Sequence, residues 1–458
     1  MPDVLVLGAG ATGLACGHAL VRAGVDVTVL EAGPRAGGVI GGLQLDGFHF
    51  ETGPNTIPAS AATFRTLAGE LGIAGELCVS RLAAKRRYLF YLGRLRPLPR
   101  GPFSLLATGL LSPASKLRLA IEPLRKRAPL PEGRNEPTFE ALMAARLGKP
   151  AARTLAGAFV RGIYAAEAGQ LGAASAFPRM WSAVQQHGGL VRGMLGTARA
   201  RRRADAPALP GPACKRSDLL SFPGGLARLT DALADSIGTR LRCGARVERL
   251  ERLEQGFRAH LDDKSSIDAM QVVLALPAKE TLAVAGDLLA RLDLALLEHL
   301  PHASVTVANL GLGDAPLPEG FGFLVPPDET GPEAPRALGV LFPSRIFEGR
   351  APAGQDSVSA IYSTPGLGDE DPVEVALEDL RRALGKRPTA VTSKVFRWDA
   401  VIPRYDVGHA PRAARLVEAA RAAHPGLFLA GNYSGGVSVE DCLNRGLTVA
   451  RALTGAEA

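Results

Sequence analysis

Cysteine is scarce in this 458-residue chain, and the five present, Cys16, Cys78, Cys214, Cys243 and Cys442, are scattered and odd in number. None forms a CxxC pair, so neither a disulfide framework nor a thiolate metal site is supported, and a reducing cytoplasm fits best. Histidine is equally thin. Only His299 and His302 stand close together, with no third ligand nearby, so no metal is expected. Neither a Ser-His-Asp arrangement nor a pair of catalytic carboxylates is apparent. The uncharged run 101–115 contains prolines and falls short of the roughly 20 apolar residues that span a bilayer. No transmembrane helix is expected, and a fold that starts at Asp3 leaves no room for a leader peptide. Internal repeats, low-complexity tracts and motifs for RNA or DNA are also missing, so no nucleic-acid partner is expected. The net charge of +8, with an isoelectric point near 9.4, reads either as a solvated basic surface or as affinity for carboxylates and acidic lipid head groups.

What is present is a globular enzyme composition, 47% hydrophobic and 21% charged, in a chain long enough for two or three domains. Its organising stretch is the N-terminus. The apolar run Val4–Leu7 reads as a buried parallel strand and leads into Gly8-Ala9-Gly10-Ala11-Thr12-Gly13. A helix is expected over 11–23 and a second strand over 25–30, ending at Glu31. Each glycine has a mechanical reason: Gly8 for the tight turn, Gly10 for approach to a pyrophosphate, Gly13 for packing of helix on strand. The helix N-terminus offers free N–H groups to the phosphates. Glu31 can accept both hydroxyls of an adenosine ribose and would repel a 2′-phosphate, which disfavours NADPH. The competing reading is a glycine-rich turn with no ligand. Strand, glycine turn, helix and terminal acid in the right order favour a dinucleotide.

Arg35-Ala36-Gly37-Gly38 follows, and Glu51-Thr52-Gly53-Pro54-Asn55 closes the unit. This pattern resembles the flavin amine oxidase superfamily, in which such turns run along FAD. Further on, a hairpin is expected at 88–91 and 95–98, flanked by Arg and Lys. Ala/Leu-rich helical segments are expected at 105–111, 117–124, 139–147 and 151–160. They read either as a packed helical subdomain or as a monotopic membrane-docking face. The basic run 199–203 and the proline-bearing 204–212 read as an exposed connection. An α/β pattern then resumes, with a helix at 226–237 and strands at 241–242, 245–250, 257–261 and 272–275. Strands alternate over 300–400 around one helix, Pro372–Leu384. A last strand at 427–430 enters Gly431-Asn432-Tyr433-Ser434-Gly435-Gly436-Val437, a second glycine turn before a helix at 439–453. The expected fold class is therefore α/β. A Rossmann-like FAD-binding domain is split over 1–80, 213–290 and 412–458. A β-sheet substrate domain takes 81–99 and 291–411, and a helical, membrane-docking subdomain takes 100–212.

Across almost the whole chain the motifs resemble the oxygen-dependent protoporphyrinogen oxidase family. They include Gly93-Arg94-Leu95-Arg96-Pro97-Leu98-Pro99, Phe159-Val160-Arg161-Gly162-Ile163-Tyr164-Ala165 and Ser221-Phe222-Pro223-Gly224-Gly225. They continue through Gly320-Phe321-Gly322-Phe323-Leu324, Trp398-Asp399-Ala400-Val401-Ile402-Pro403-Arg404-Tyr405 and the Gly431-Asn432-Tyr433 turn. The resemblance implies a non-covalent FAD held by Gly8, Gly10, Ala11, Thr12, Gly13, Glu31, Ala32, Arg35, Gly37, Gly38, Gly53, Pro54 and Asn55. Val247 would offer backbone bonds to adenine, and Trp398, Gly431, Asn432, Gly436 and Val437 would complete the cradle. Arg87 would pair with a propionate, the Gly162 carbonyl would face pyrrole N–H groups, and Phe321 and Leu324 would line the ring pocket. The implied reaction takes six electrons from protoporphyrinogen IX in haem synthesis, with O2 as acceptor and H2O2 as product, and needs no metal. Coproporphyrinogen III, with four propionates instead of two, is the alternative substrate. An FAD-containing binding protein without turnover is the alternative class. A cytoplasmic protein touching an anionic membrane face is implied, and a homodimer and a contact with ferrochelatase stay open. Two departures bear on the pocket: Ala166 stands where the family has glycine, and Arg404 replaces an acid or amide.

Overall fold

The structure is a computed structural model and describes residues 2–100, 104, 107–124, 136–203, 208–315 and 317–455. A five-stranded parallel sheet runs in the order Leu241–Cys243, Val27–Glu31, Val4–Leu7, Gln271–Leu274, Leu427–Leu429. It is thus assembled from three distant parts of the chain. Its central strands are apolar on both faces, as helix-covered parallel strands must be, while the edge strand Leu241–Cys243 is largely exposed. Val4, Val6, Val27, Val29 and Val273 point into one core, shared with helices Ala11–Arg22, Ala227–Ile237 and Val439–Thr454. Leu5, Leu7, Leu30, Val272 and Leu274 point into the other, against helices Ala278–Leu289 and His409–Ala423 and a three-stranded antiparallel sheet that starts at Val247.

A seven-stranded sheet forms the second layer, in the order Thr389–Pro403, His302–Asp314, Asp356–Ser363, Gly339–Leu341, Gly322–Leu324, Tyr88–Phe90, Leu95–Pro97. All its pairings are antiparallel except that of Gly322–Leu324 with Tyr88–Phe90. The expected hairpin is thereby its edge. Helix Pro372–Leu384 packs on this sheet through Val375, Ala376, Leu377 and Leu380. Arg350 reaches from this layer into the first one, donating to Ser221 Oγ and the Phe222 carbonyl at 2.9 Å each, with Glu51 at 3.5 Å.

The third part is helical. Buried carboxylates cap its helices: Glu122 accepts from Leu190 N at 2.6 Å, and Glu136 accepts from Ser175 N at 2.9 Å and Gly408 N at 2.8 Å. The expected helix at 151–160 is a longer run, in which a π-helical turn, Ala152–Gly157, feeds helix Ala158–Tyr164. Of the helix expected at 105–111, residues 105 and 106 lie outside the described residues, 104 and 107 are helical, and 109–111 form a turn and bend. Gly109, a poor helix former, interrupts it, and Ser112 with Pro113 opens the next helix, Pro113–Ile121. Residues 199–203 are the end of helix Leu190–Arg203 rather than part of a connection; arginine is a good helix former.

Candidate cofactor and substrate site

The two glycine turns meet at the C-terminal ends of the parallel strands, where ligands of open α/β sheets bind. Gly8 has φ +96° and leaves strand Val4–Leu7 for the helix. A Cβ on Gly13 would lie 1.8 Å from the Gly8 carbonyl oxygen, so only glycine allows this helix to seat. A Cβ on Gly10 would meet nothing within 4 Å, because Gly10 faces open space. Helix Ala11–Arg22 has no side-chain cap, so the N–H groups around Thr12 are left for a ligand. The neighbouring turn folds onto this one: Gly37 N donates to the Ala9 carbonyl at 2.8 Å.

Glu31 lies at the end of its strand, accepting from Ala9 N and Gly33 N at 2.8 Å each. These bonds aim the carboxylate along the turn, beside exposed Ala32. The Glu31 backbone carbonyl accepts from Ala245 N at 2.9 Å, which brings Val247, the first residue of its strand, to the same end. Arg35 clamps its own turn, donating to the carbonyls of Ile40 at 2.9 Å and of Ala36 and Gly38 at 3.0 Å. Its guanidinium therefore shapes the turn rather than standing free. Asn55 Nδ2 donates to the Gly53 carbonyl at 2.9 Å across Pro54. Among the described residues, the Oδ1 atoms of Asn55 and Asn432 are buried without a partner. In the second turn, Gly436 has φ +76° and its carbonyl accepts from Arg445 at 3.1 Å, while Val437 packs on the helical core. Trp398 Nε1 donates to the Thr52 carbonyl at 2.8 Å.

Between the turns lies a pair to which the sequence reading gave no site role, Ala275 and Leu276. A Cβ on Gly8 would be 2.7 Å from the Ala275 carbonyl, and one on Gly431 would be 2.1 Å from that of Leu276. The expected strand ending at 275 was the available signal. Open space at Gly10, an uncapped helix and orphaned buried amide oxygens together fit a dinucleotide.

The four expected substrate residues come together along one edge of the seven-stranded sheet. The Arg87 guanidinium stacks over Phe321 at 4.8 Å from the ring centroid. Arg87 is exposed and, among the described residues, has no carboxylate partner. Leu324, on the strand that Phe321 leads into, pairs with Leu89. Its side chain fills the notch left by Gly162, where a Cβ would sit 2.6 Å from Leu324 Cδ2. Left-handed Ala165, at φ +46°, ends the helix just beyond Gly162, so the last-turn carbonyls lose their helical donors. Two residues of that motif to which the sequence reading gave no site role lie on the same helix: Phe159 and Ile163 are large apolar side chains left 40% and 39% exposed. Their i, i+4 spacing around Gly162 was the usable signal. Arg404, half-buried, also lacks a carboxylate partner among the described residues and contacts the Ala165 carbonyl at 3.4 Å. Ala166 is buried in the helical core instead of lining open space. Ala165 packs with Trp398 and Val401, and the Val401 carbonyl accepts from Asn432 Nδ2 at 3.4 Å, which joins this wall to the second glycine turn.

Among the described residues no group of three or more His, Cys, Asp and Glu could hold a metal ion. Nor is any helix there long and apolar enough to cross a membrane. The thiol nearest the first turn, Cys16, is buried, and desolvation pushes its pKa up to about 12.

This fold and cradle define a flavin enzyme. The chain belongs to the flavin-containing amine oxidoreductase family, whose model matches residues 11–454. Within that class it is similar over nearly its whole length to porphyrinogen oxidases. It is 31% identical to chloroplastic protoporphyrinogen oxidase of Oryza sativa subsp. japonica, covering 96% of this chain and 86% of the relative. It is 27% identical to coproporphyrinogen III oxidase of Bacillus subtilis (strain 168), covering 98% of each. A crystal structure of an Exiguobacterium sp. 255-15 protein, provisionally named a protoporphyrinogen oxidase, superposes with a TM-score of 0.83 at 24% identity over 99% of each chain.

Proposed function

We propose that the chain is an FAD-dependent oxidase that converts protoporphyrinogen IX to protoporphyrin IX, with O2 as acceptor. The observation that carries this reading is Arg87. Among the described residues it is a cation without a carboxylate partner, stacked on Phe321 beside an apolar wall where Leu324 meets Gly162, on a helix that also leaves Phe159 and Ile163 partly exposed. Such a wall suits a broad, flat, apolar ring, and such a cation suits an acid chain on its rim. When bound, the flavin supplies the acceptor for hydride equivalents and passes electrons to O2, giving H2O2.

The protein residues position and exclude. Arg87 holds the propionate, and Phe321 and Leu324 keep water from the ring face. The Gly162 carbonyl, in the last turn of its helix, faces the pyrrole N–H groups. Gly8, Gly10 and Gly13 with the helix N-terminus take the pyrophosphate, Glu31 and Ala32 the ribose, and Val247 the adenine. Arg35 with Gly37 and Gly38, Gly53 with Pro54 and Asn55, and the Gly431–Asn432 and Gly436–Val437 turn line the rest.

Coproporphyrinogen III is the second reading, and Arg404 favours it. A second cation, half-buried and without a carboxylate partner among the described residues, is what a substrate with more propionates needs. An aerobic assay of the purified protein with each porphyrinogen, following porphyrin fluorescence, tests both. Faster turnover of the coproporphyrinogen replaces the first reading with the second, and no turnover of either removes both.

The proposed site of action is the surface of an anionic membrane. Leu117, Ile121 and Leu124 are 64%, 42% and 80% exposed. Glu122 ties their segment to the helix that exposes Met194 and Leu195. Salt-sensitive co-sedimentation with anionic vesicles is expected, and a protein that stays in the supernatant with every lipid overturns this docking.

A further inference from the structure

We propose that residues 398–409 act as one strap that positions two turns of the flavin cradle, the Thr52–Asn55 turn and the second glycine turn at Gly431–Val437, with Tyr405 and His409 as positioning residues beside Trp398. Three side chains of this stretch each hold one backbone carbonyl of the two turns. Trp398 Nε1 donates to Thr52 at 2.8 Å, Tyr405 Oη to Asn432 at 2.5 Å, and His409 Nε2 pairs with Tyr433 at 2.7 Å. A carbonyl only accepts, so the His409 proton sits on Nε2. The Tyr405 and His409 rings are fully buried and stack at 4.4 Å with 27° between planes. Tyr164 abuts Tyr405 edge-on at 6.0 Å.

The peptide plane links these carbonyls to the cradle. A carbonyl and the N–H of the following residue point in opposite directions within one rigid plane. Fixing the carbonyls of Thr52, Asn432 and Tyr433 therefore fixes the N–H directions of Gly53, Tyr433 and Ser434. The two turns lie far apart in the chain, yet their carbonyl anchors come from one short stretch, which also ends the longest strand of the substrate sheet, Thr389–Pro403. Ordinary core packing would need buried rings there. It would not need three donors aimed at three carbonyls of two separate turns.

The inference rests on the FAD reading above, and its test separates the two. FAD dissociation constants, flavin absorption spectra and reduction potentials are measured for Tyr405→Phe, Trp398→Phe and the double variant, with Tyr362→Phe as control. Tyr362 is another buried tyrosine, bonded to Asp379 at 3.1 Å within the substrate sheet. Loss of one neutral hydrogen bond corresponds to a roughly three- to tenfold weaker FAD affinity in each strap variant. A moved flavin band and potential are expected with it, and the double variant should lose less than the product of the two. The control should lower the melting temperature and leave all three flavin readouts in place. Strap variants that melt earlier but bind FAD with wild-type affinity, spectrum and potential overturn the inference and leave the FAD reading standing. Wild-type protein that neither contains nor takes up FAD overturns both. Should Tyr405→Phe fail to fold, Trp398→Phe, whose ring is half-buried, decides alone.

Discussion

The two halves of the candidate site are built by opposite means. The cofactor cradle is backbone: glycines, carbonyls and the end of a helix, with side chains such as Arg35 and Glu31 spent on holding turns in shape. The proposed substrate side is side chain, with Arg87 on Phe321, Leu324 in the Gly162 notch, and Phe159 and Ile163 left exposed. Backbone recognition tolerates no added atoms, so it leaves fixed glycine spacings. Side-chain recognition tolerates exchange among apolar residues, so it leaves only a bias towards exposure. The contrast explains why the class of cofactor was far easier to read than the substrate.

The strongest way to break this comparison is Gly13→Val. Its Cβ would lie 1.8 Å from the Gly8 carbonyl oxygen, and backbone cannot yield as a side-chain tip can. Overpacking of this kind costs about 3 kcal/mol or more. The variant is expected to purify without flavin and to melt well below the wild type in calorimetry.

Arg87→Ala probes the other half. A partly desolvated Arg–carboxylate bond contributes about 1.5–3 kcal/mol, so KM should rise roughly ten- to a hundredfold, with kcat changed less and flavin content intact. Arg87→Lys should recover part of the loss, since it keeps the charge but not the planar fork. Unchanged steady-state kinetics in Arg87→Ala would move the propionate partner to Arg404.

Acid should act on the scaffold rather than on the wall. His18, His302 and His409 are all held below the ordinary histidine value of 6.5, mainly by desolvation. The folded state then binds fewer protons than the unfolded chain below about pH 6.5, so stability is complete above that value and is lost as pH falls through it. Melting temperature is expected to be flat from pH 7 to 8 and to decline towards pH 5.5. A flat profile over the whole range would show that these imidazoles protonate in place.

Gly10→Ala is the finest discriminator, and its effect on the fold should be the smallest. Its added Cβ meets no protein atom within 4 Å, so thermal stability should shift by no more than about 0.5 kcal/mol. Flavin retention on gel filtration should nevertheless fall, because the open space is where a pyrophosphate would approach. Equal retention in wild type and variant would assign Gly10 to the turn alone.

The sequence by itself determined the first glycine turn, Glu31 and the kind of cofactor, because each depends on contacts between neighbours in the chain. Period and spacing also show the hairpin at the sheet edge and the helix Pro372–Leu384. The tertiary structure decided what depends on distance in sequence. It set Ala275 and Leu276 between the turns and closed the Gly162 notch with Leu324. Among the described residues it left Arg87 without a carboxylate partner, and it put Trp398, Tyr405 and His409 onto carbonyls of turns remote from them in the chain. Local motifs are visible in a sequence because the chain itself sets the geometry between near neighbours. Which side chain reaches a remote carbonyl, and which cation is left free, is fixed only once sheets and helices pack.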